Sequence, residues 1–355
     1  MLKSFRYILF PFSVVYSLVI RIRNLVYDLK LARSATFNFP LICVGNLSVG
    51  GTGKTPMTEY LVRLLQRRYR VATLSRGYKR KTKGFAIAED PTTALQIGDE
   101  PMQLHRNFPG VPVAVCEERI VGIPQLLHQR PETEVIILDD AFQHRSVSAG
   151  LNILLTGYHD LYTRDFMLPA GNLRDSRDSA RRADLIVVTK CPPDLGEPER
   201  QGVLSELHPL ERQKIFFTKI LYDTPYHLFT REKQPIRTGC HVLLVCAIAS
   251  PEPLKDALNS WTAAYDMLLY PDHHIFSTDD LREIIDRFSR IQEPGKMLIT
   301  TEKDSVRLLK YESELRDLPV YVLPMRHEFL FDESSAFDYE IYRFVESFRN
   351  PAEAK

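Results

Sequence analysis

The sequence predicts an α/β protein: a parallel sheet carrying a phosphate-binding loop, a second, smaller α/β lobe, and an N-terminal amphipathic helix. Short apolar runs alternate with helical patterns, and a glycine-rich turn joins the first run to a helix. The alternation restarts after a charged break, which marks the second lobe.

Residues 1–34 form the first part. Phe5, Ile8, Leu9, Phe12, Val15, Tyr16, Val19, Ile22, Val26 and Leu29 recur at helical spacing, with Ser13, Ser17, Arg21, Asn24 and Asp28 opposite them. The apolar stretch from Tyr7 to Ile20 is shorter than the ~20 residues that a membrane span needs, and Pro11 interrupts it. No small-residue cleavage site follows it, which argues against a secretory signal. Two uses stay open. The helix either lies in a membrane interface, with Arg21, Arg23, Lys30 and Arg33 towards its end, or caps the core of the domain.

The strand-like run 41–44 leads into Ser48-Val49-Gly50-Gly51-Thr52-Gly53-Lys54-Thr55, after which helical spacing resumes through Leu61, Leu64 and Leu65. Strand, glycine turn and helix in this order make a phosphate cradle. Backbone N–H groups converge on phosphate oxygens, the helix N-terminus adds partial positive charge, Lys54 adds a full one, and the Thr55 hydroxyl suits Mg²⁺. Glycine is usual at the first position, where Ser48 stands. The rest matches the double-glycine variant of the P-loop, with Val49 in the place of that variant's signature lysine.

Further strands are expected at 70–74, 111–115, 135–138, 151–155 and 185–189, with helical patterns between most of them. Continuous apolar runs of this kind belong to a parallel sheet covered on both faces. The run 135–138 ends in Asp139-Asp140, and an acidic residue at the carboxyl end of a strand beside a phosphate loop is the expected second anchor of Mg²⁺. Either aspartate serves. Extended segments follow at 214–220 and 226–229; after Arg231-Glu232-Lys233-Gln234-Pro235 a second unit runs through strands 242–246 and 296–300. The chain thus divides into 1–34, a nucleotide-binding domain at 35–230 and a C-terminal lobe at 231–355, with an active site between the lobes.

Lysine and arginine number 46 against 45 acidic residues, so the chain has no electrostatic bias towards nucleic acid, and anionic partners must be held locally. The five cysteines show no C-x-x-C spacing, which suits a reducing compartment. Polar clusters follow several strands, where open parallel sheets bind ligands: Ser75-Arg76-Gly77-Tyr78, Gly98-Asp99-Glu100-Pro101, Glu118-Arg119, Gln143-His144-Arg145 and Gly171-Asn172-Leu173-Arg174-Asp175. In the second lobe, Asp272-His273-His274 precedes the helix cap Ser277-Thr278-Asp279-Asp280. Adjacent histidines point to different sides, which disfavours a metal pair. Thr189-Lys190 and Thr300-Thr301-Glu302-Lys303-Asp304 either border the nucleotide or cap helices.

Taken in order, Gly45-Asn46-Leu47 with the phosphate loop and Pro56, the Ser75, Gly98 and Gly171 clusters, Leu138-Asp139-Asp140-Ala141-Phe142-Gln143-His144, Asp272-His273-His274 and Thr301-Glu302-Lys303-Asp304 resemble the tetraacyldisaccharide 4'-kinase family, the lipid A kinases. The resemblance covers nearly the whole chain. It implies transfer of the γ-phosphate of ATP, with Mg²⁺, to the 4'-hydroxyl of an acylated glucosamine disaccharide 1-phosphate, giving lipid IVA. It also implies a peripheral place on the cytoplasmic face of the inner membrane of a Gram-negative bacterium, without nucleic acid or an obligate protein partner. By the same resemblance Asp99 is the general base with His273 beside it. Thr55, Glu100, Asp139 and Asp140 supply the metal shell, and Arg76, Arg119, His144, Asn172 and Arg174 face the head group. Asp175 stands where glutamate is commoner in the family. The rival is a membrane-associated partitioning or targeting ATPase of the same P-loop branch, which dimerises across ATP through the lysine that Val49 replaces.

Overall fold

The computed structural model describes residues 6–237, 239–248, 251–262 and 264–349. Its strands in chain order are β1 (Ala35–Thr36), β2 (Leu41–Asn46), β3 (Val71–Ser75), β4 (Ala86–Ile87), β5 (Val113–Val115), β6 (Val135–Asp139), β7 (Val147–Ser148) and β8 (Leu151–Gly157). There follow β9 (Leu185–Thr189), β10 (Lys214–Tyr222), β11 (Tyr226–His227), β12 (Val242–Cys246), β13 (Tyr265–Leu269), β14 (Met297–Thr301), β15 (Val320–Leu323) and β16 (Met325–Phe329). Nine make one sheet, in the order β16-β10-β9-β8-β2-β6-β3-β5-β4, and five make a second, in the order β11-β15-β14-β12-β13. The large sheet is parallel except at its edges, where β16 runs against β10 and β4 against β5.

Both faces of the large sheet are covered, as its uninterrupted apolar strands require. Side chains alternate along β2. Ile42 and Val44 join one core with Met57, Leu61 and Leu65 of the helix Lys54–Leu65, while Leu41 and Cys43 join the other with Ile123 and Leu126 of the helix Arg119–Gln129. Strand β2 lies between β8 and β6, with Val44 opposite Asp139. Because neighbouring parallel strands end on the same side, the glycine turn after β2 meets the aspartates after β6.

The chain divides differently from the expected 35–230 and 231–355. The second sheet begins at β11 and closes at β15, after which β16 and the helix Ser334–Glu346 return to the large sheet. Strand β16 pairs with β10, and Phe337, Ile341 and Val345 enter the core beneath the phosphate-loop helix. The second lobe is therefore an insertion, and the final segment belongs to the nucleotide-binding domain. Met325-Arg326-His327-Glu328-Phe329 is a mostly polar edge strand, so no apolar run announces it. The two chain connections of the lobe lie together, with the Asp223 N–H donating to the Pro324 carbonyl at 2.9 Å.

The N-terminal helix, Phe10–Asp28, turns its polar stripe inwards. Ser13 and Asn24 are buried. Ser13 Oγ accepts the Ala170 N–H at 2.9 Å, the Tyr16 hydroxyl donates to the Arg174 carbonyl at 3.1 Å, and Asn24 Nδ2 donates to Asp175 Oδ1 at 2.8 Å. Its apolar side faces away from the protein: Phe12 is 65% exposed, Leu18 58% and Ile22 53%. A helix capping the core does the reverse, so that use is ruled out for most of this face; Ile20 alone among its large apolar side chains is buried. Among the described residues no helix is long and apolar enough to cross a membrane.

Candidate active site

The phosphate loop is held from four directions. Asn46, at the end of β2, donates from Nδ2 to Thr52 Oγ1 at 2.9 Å, and the Thr189 hydroxyl at the end of β9 donates to the Thr52 carbonyl at 2.9 Å. The Val49 N–H donates to the Asn172 carbonyl at 2.8 Å, and Ser48 bridges to Leu173. Gly53 has φ +85°, and a Cβ there would stand 2.8 Å from the His327 ring. His327 Nε2 lies 2.9 Å from the Gly53 carbonyl and Nδ1 lies 2.9 Å from Thr218 Oγ1. Since a carbonyl only accepts, the proton is assigned to Nε2. Burial keeps this imidazole neutral, with a pKa brought down to about 4. Sequence reasoning missed His327, because only the return of β16 brings it to the loop.

Lys54 begins the helix beyond the turn, and its Nζ lies 3.8 Å from Asp140 Oδ1. Burial lowers its pKa against the opposing pull of Asp140. The two aspartates differ. Asp139 is buried and accepts the Thr58 hydroxyl at 3.0 Å; burial, then the neighbouring Asp140 charge, push its carboxyl up to about 6. Burial would also raise Asp140, but the Lys54 charge and the Arg174 guanidinium, donating to both of its oxygens, hold it at about 2. Among the described residues no group of three or more His, Cys, Asp or Glu is placed to hold a metal by itself. Mg²⁺ asks for less, because one or two carboxylates complete a shell made mostly of phosphate oxygens and water. Adjacent carboxylates at the end of β6, beside the loop that carries Lys54 and Thr55, fit such an ion. Glu100, next to Asp99, faces the second lobe, its carboxylate 3.6 Å from Lys303 Nζ.

The lobes meet at Asp99. Gly98, at φ +99°, ends the short helix Ala94–Ile97 and starts the helix Asp99–Asn107, which points Asp99 at the second lobe. His273, in the turn after β13, places Nδ1 3.2 Å from Asp99 Oδ2 and Nε2 3.0 Å from Lys303 Nζ. With the proton on Nδ1 the ring donates to Asp99 and accepts from Lys303, while Arg307 Nη2 lies 3.1 Å from the same Nδ1. His274 turns away to Asp280, 2.8 Å from its carboxylate, so the adjacent histidines diverge as expected. Arg307, from the helix Glu302–Leu308, donates Nε to Asp99 Oδ1 at 3.0 Å and Nη2 to Oδ2. Burial alone would raise Asp99, yet hydrogen bonds from His273 and Arg307 and the guanidinium charge bring it down to about 2. The sequence reading missed Arg307; its signal lay three residues beyond Asp304, on a helix that also reads as a solvated face.

The expected head-group residues fall into two sets. Arg76 is exposed at the end of β3, Asn172 and Arg174 border the phosphate loop, and His144 is half-buried in the loop after Asp140. The His144 imidazole stays neutral, lowered to about 4 by burial and then by the Arg119 and Arg76 charges. Arg119 lies near His144, but deeper. It is fully buried, with Nη1 donating to the Cys116 carbonyl at 2.7 Å and Nη2 to the Asp139 carbonyl at 3.4 Å. Its guanidinium ties strand ends together, because carbonyls at the ends of parallel strands are left without ladder partners.

Asp175, whose role the sequence leaves open, is fully buried and accepts from Asn24, the Ser176 N–H and the Ser179 hydroxyl, with Arg182 Nη2 at 3.1 Å. It ties the N-terminal helix to the segment that carries Arg174. Asp175→Ala is expected to destabilise the protein by about 3 kcal/mol, since it strands a guanidinium and an amide. Urea unfolding measures the loss, and limited proteolysis should show earlier cleavage in the N-terminal helix.

A family model described as tetraacyldisaccharide-1-P 4'-kinase matches residues 5–345. The tetraacyldisaccharide 4'-kinase of Flavobacterium johnsoniae is 45% identical over 98% of this chain and 99% of its own, and that of Parabacteroides distasonis is 44% identical over 97% and 96%. A crystal structure of LpxK from Aquifex aeolicus in complex with ATP is similar at a TM-score of 0.76 and 30% identity, covering 97% of this chain and all of that one. With the phosphate loop, the aspartate pair and the meeting of the lobes at Asp99 in place, these matches along almost its whole length establish that the chain belongs to the tetraacyldisaccharide-1-P 4'-kinase family.

Proposed function

We propose that the chain transfers the γ-phosphoryl group of ATP to the 4'-hydroxyl of a tetraacylated glucosamine disaccharide 1-phosphate, giving lipid IVA at the cytoplasmic face of the inner membrane. The observation that carries this reading is the juxtaposition of Asp99 with His273 and Arg307 where the second lobe meets the domain that bears the phosphate loop. The acceptor oxygen attacks the γ-phosphorus, the bond to the β,γ-bridging oxygen breaks, ADP leaves, and the hydroxyl proton passes to Asp99. An ionised carboxylate is ready to accept that hydroxyl, and proton transfer comes late, as a loose transition state allows. Lys54 neutralises phosphate charge where water is excluded. Thr55, Asp139 and Asp140, with Glu100 nearby, would hold Mg²⁺, which neutralises the phosphates when bound. Arg174, Arg76, His144 and Asn172 border the space for the sugar.

Incubation with radiolabelled ATP and the disaccharide acceptor in mixed micelles tests the reaction. Label in the lipid is expected; label in free phosphate alone would favour the partitioning-type ATPase. Little else favours that rival, since Val49 stands in place of its lysine and the second lobe has no part in its scheme.

The outward apolar face of the N-terminal helix supports a place at the membrane. A four-chain lipid leaves the bilayer at a cost of about 0.8 kcal/mol per CH₂, so the enzyme must go to it. Leu18, Val19 and Ile22 are each more than half exposed, and inserting such side chains contributes about 1 kcal/mol apiece. The triple serine variant is expected to bind vesicles about 100-fold more weakly while its unfolding midpoint stays unchanged. Vesicle sedimentation checks this, and unaltered binding would sink the interface assignment.

A further inference from the structure

We propose that Arg307 is a positioning residue for the transfer: its forked guanidinium fixes the Asp99 carboxylate so that one acceptor site, on Oδ1, remains for the sugar hydroxyl. The inference rests on the reading of Asp99 as proton acceptor and says which part of that group does the accepting.

A carboxylate offers about four lone-pair sites, two on each oxygen. On Asp99, Oδ2 takes Arg307 Nη2 and lies 3.2 Å from His273 Nδ1, the two donors themselves standing 3.1 Å apart, while Oδ1 takes Arg307 Nε at 3.0 Å. Three sites are filled, and the free one lies on the oxygen that His273 does not touch. Two parallel N–H···O bonds also fix the plane of the carboxylate, which a single donor leaves free to rotate.

Arg307 is itself held. Nη1 donates to the His274 carbonyl at 3.1 Å and to Asp304 Oδ1 at 3.4 Å, and Asp304 accepts the Ala247 N–H at 2.9 Å and the Thr301 hydroxyl at 2.8 Å. The chain of contacts runs from the end of β12 through Asp304 and Arg307 to Asp99, and its branch at the His274 carbonyl sets the turn that presents His273. One side chain therefore places both halves of the Asp99–His273 pair. Arg307 is only 8% exposed and comes from the lobe opposite to Asp99, so the arrangement exists only when the lobes meet.

The experiment is steady-state kinetics of the full-length Arg307→Ala, Arg307→Lys and Asp99→Ala variants with ATP and the micellar acceptor. Arg307→Ala should lose about 100-fold in kcat, the effect of a misplaced reacting group, while KM for ATP changes less than about twofold. Added guanidinium ion should restore at least about tenfold of that loss, because it can refill the same two oxygens. Arg307→Lys should stay about tenfold or more below the parent, since an ammonium supplies charge without the fork, and it serves as the test should the alanine variant fail to fold. Full activity of Arg307→Lys, or an Arg307→Ala loss that guanidinium leaves untouched, would overturn the proposal. If Asp99→Ala is inactive and Arg307→Ala normal, only the role of Arg307 fails; an active Asp99→Ala removes the reading beneath it.

Discussion

Lys54→Ala is expected to lower kcat by about 100- to 1000-fold, the loss seen when one preorganised charge-stabilising donor is removed from an enclosed site. Lys54 is fixed at the first position of its helix, with its ammonium 3.8 Å from Asp140 and largely out of water. Nothing else in the loop carries a full positive charge to the terminal phosphates. The fold survives the change, because Asp140 keeps Arg174 on both of its oxygens. The variant should therefore unfold at nearly the parental temperature and retain its affinity for vesicles. A kcat within tenfold of the parent would show that the loop does not deliver the charge argued for it.

Asp99→Asn is expected to cost about 10²- to 10⁴-fold in kcat, the span of general-base contributions. The amide keeps the shape of the carboxylate and cannot take the proton. It also turns an N–H₂ towards donors, leaving the guanidinium of Arg307 without its counter-charge; breaking such a buried pair costs about 3 to 5 kcal/mol. Stability should fall together with rate, and the loss should appear in the association of the lobes. His273→Ala makes the useful comparison. His273 reaches the carboxylate at Oδ2 alone and also meets Arg307 Nη2 at 3.1 Å; because both bonds of the Arg307 fork run straight to Asp99, its removal should lower kcat by about tenfold and leave that fork intact. Kinetics beside urea unfolding separates the two effects, and equal losses in both variants would contradict the division of labour between His273 and Arg307.

Much of this site could be read from residue order, because its parts are local. The turn at 48–55 follows a strand and opens a helix, and Asp139-Asp140 closes an apolar run, so strand adjacency in a parallel sheet brings them together. What escaped depends on tertiary return. His327 supports the loop from a polar edge strand that carries no apolar signature, and Arg307 reaches Asp99 across more than 200 residues of chain. Arg119 has a structural task that residue order hides: its guanidinium satisfies orphan carbonyls inside the fold. The N-terminal helix displayed its two stripes plainly. Periodicity says that one of them faces the protein, and only the partners of Asn24 and Ser13 reveal that it is the polar one.

The side-by-side passage of the chain at Asp223 and Pro324 has a mechanical corollary. A module attached through one narrow neck pivots without disturbing any ladder of either sheet, whereas a module appended at the end of the chain has a single tether and no defined axis. Opening about this neck would strip Asp99 of both partners at once. A single hinge-like motion would thus separate one carboxylate from two partners that lie far from it along the chain.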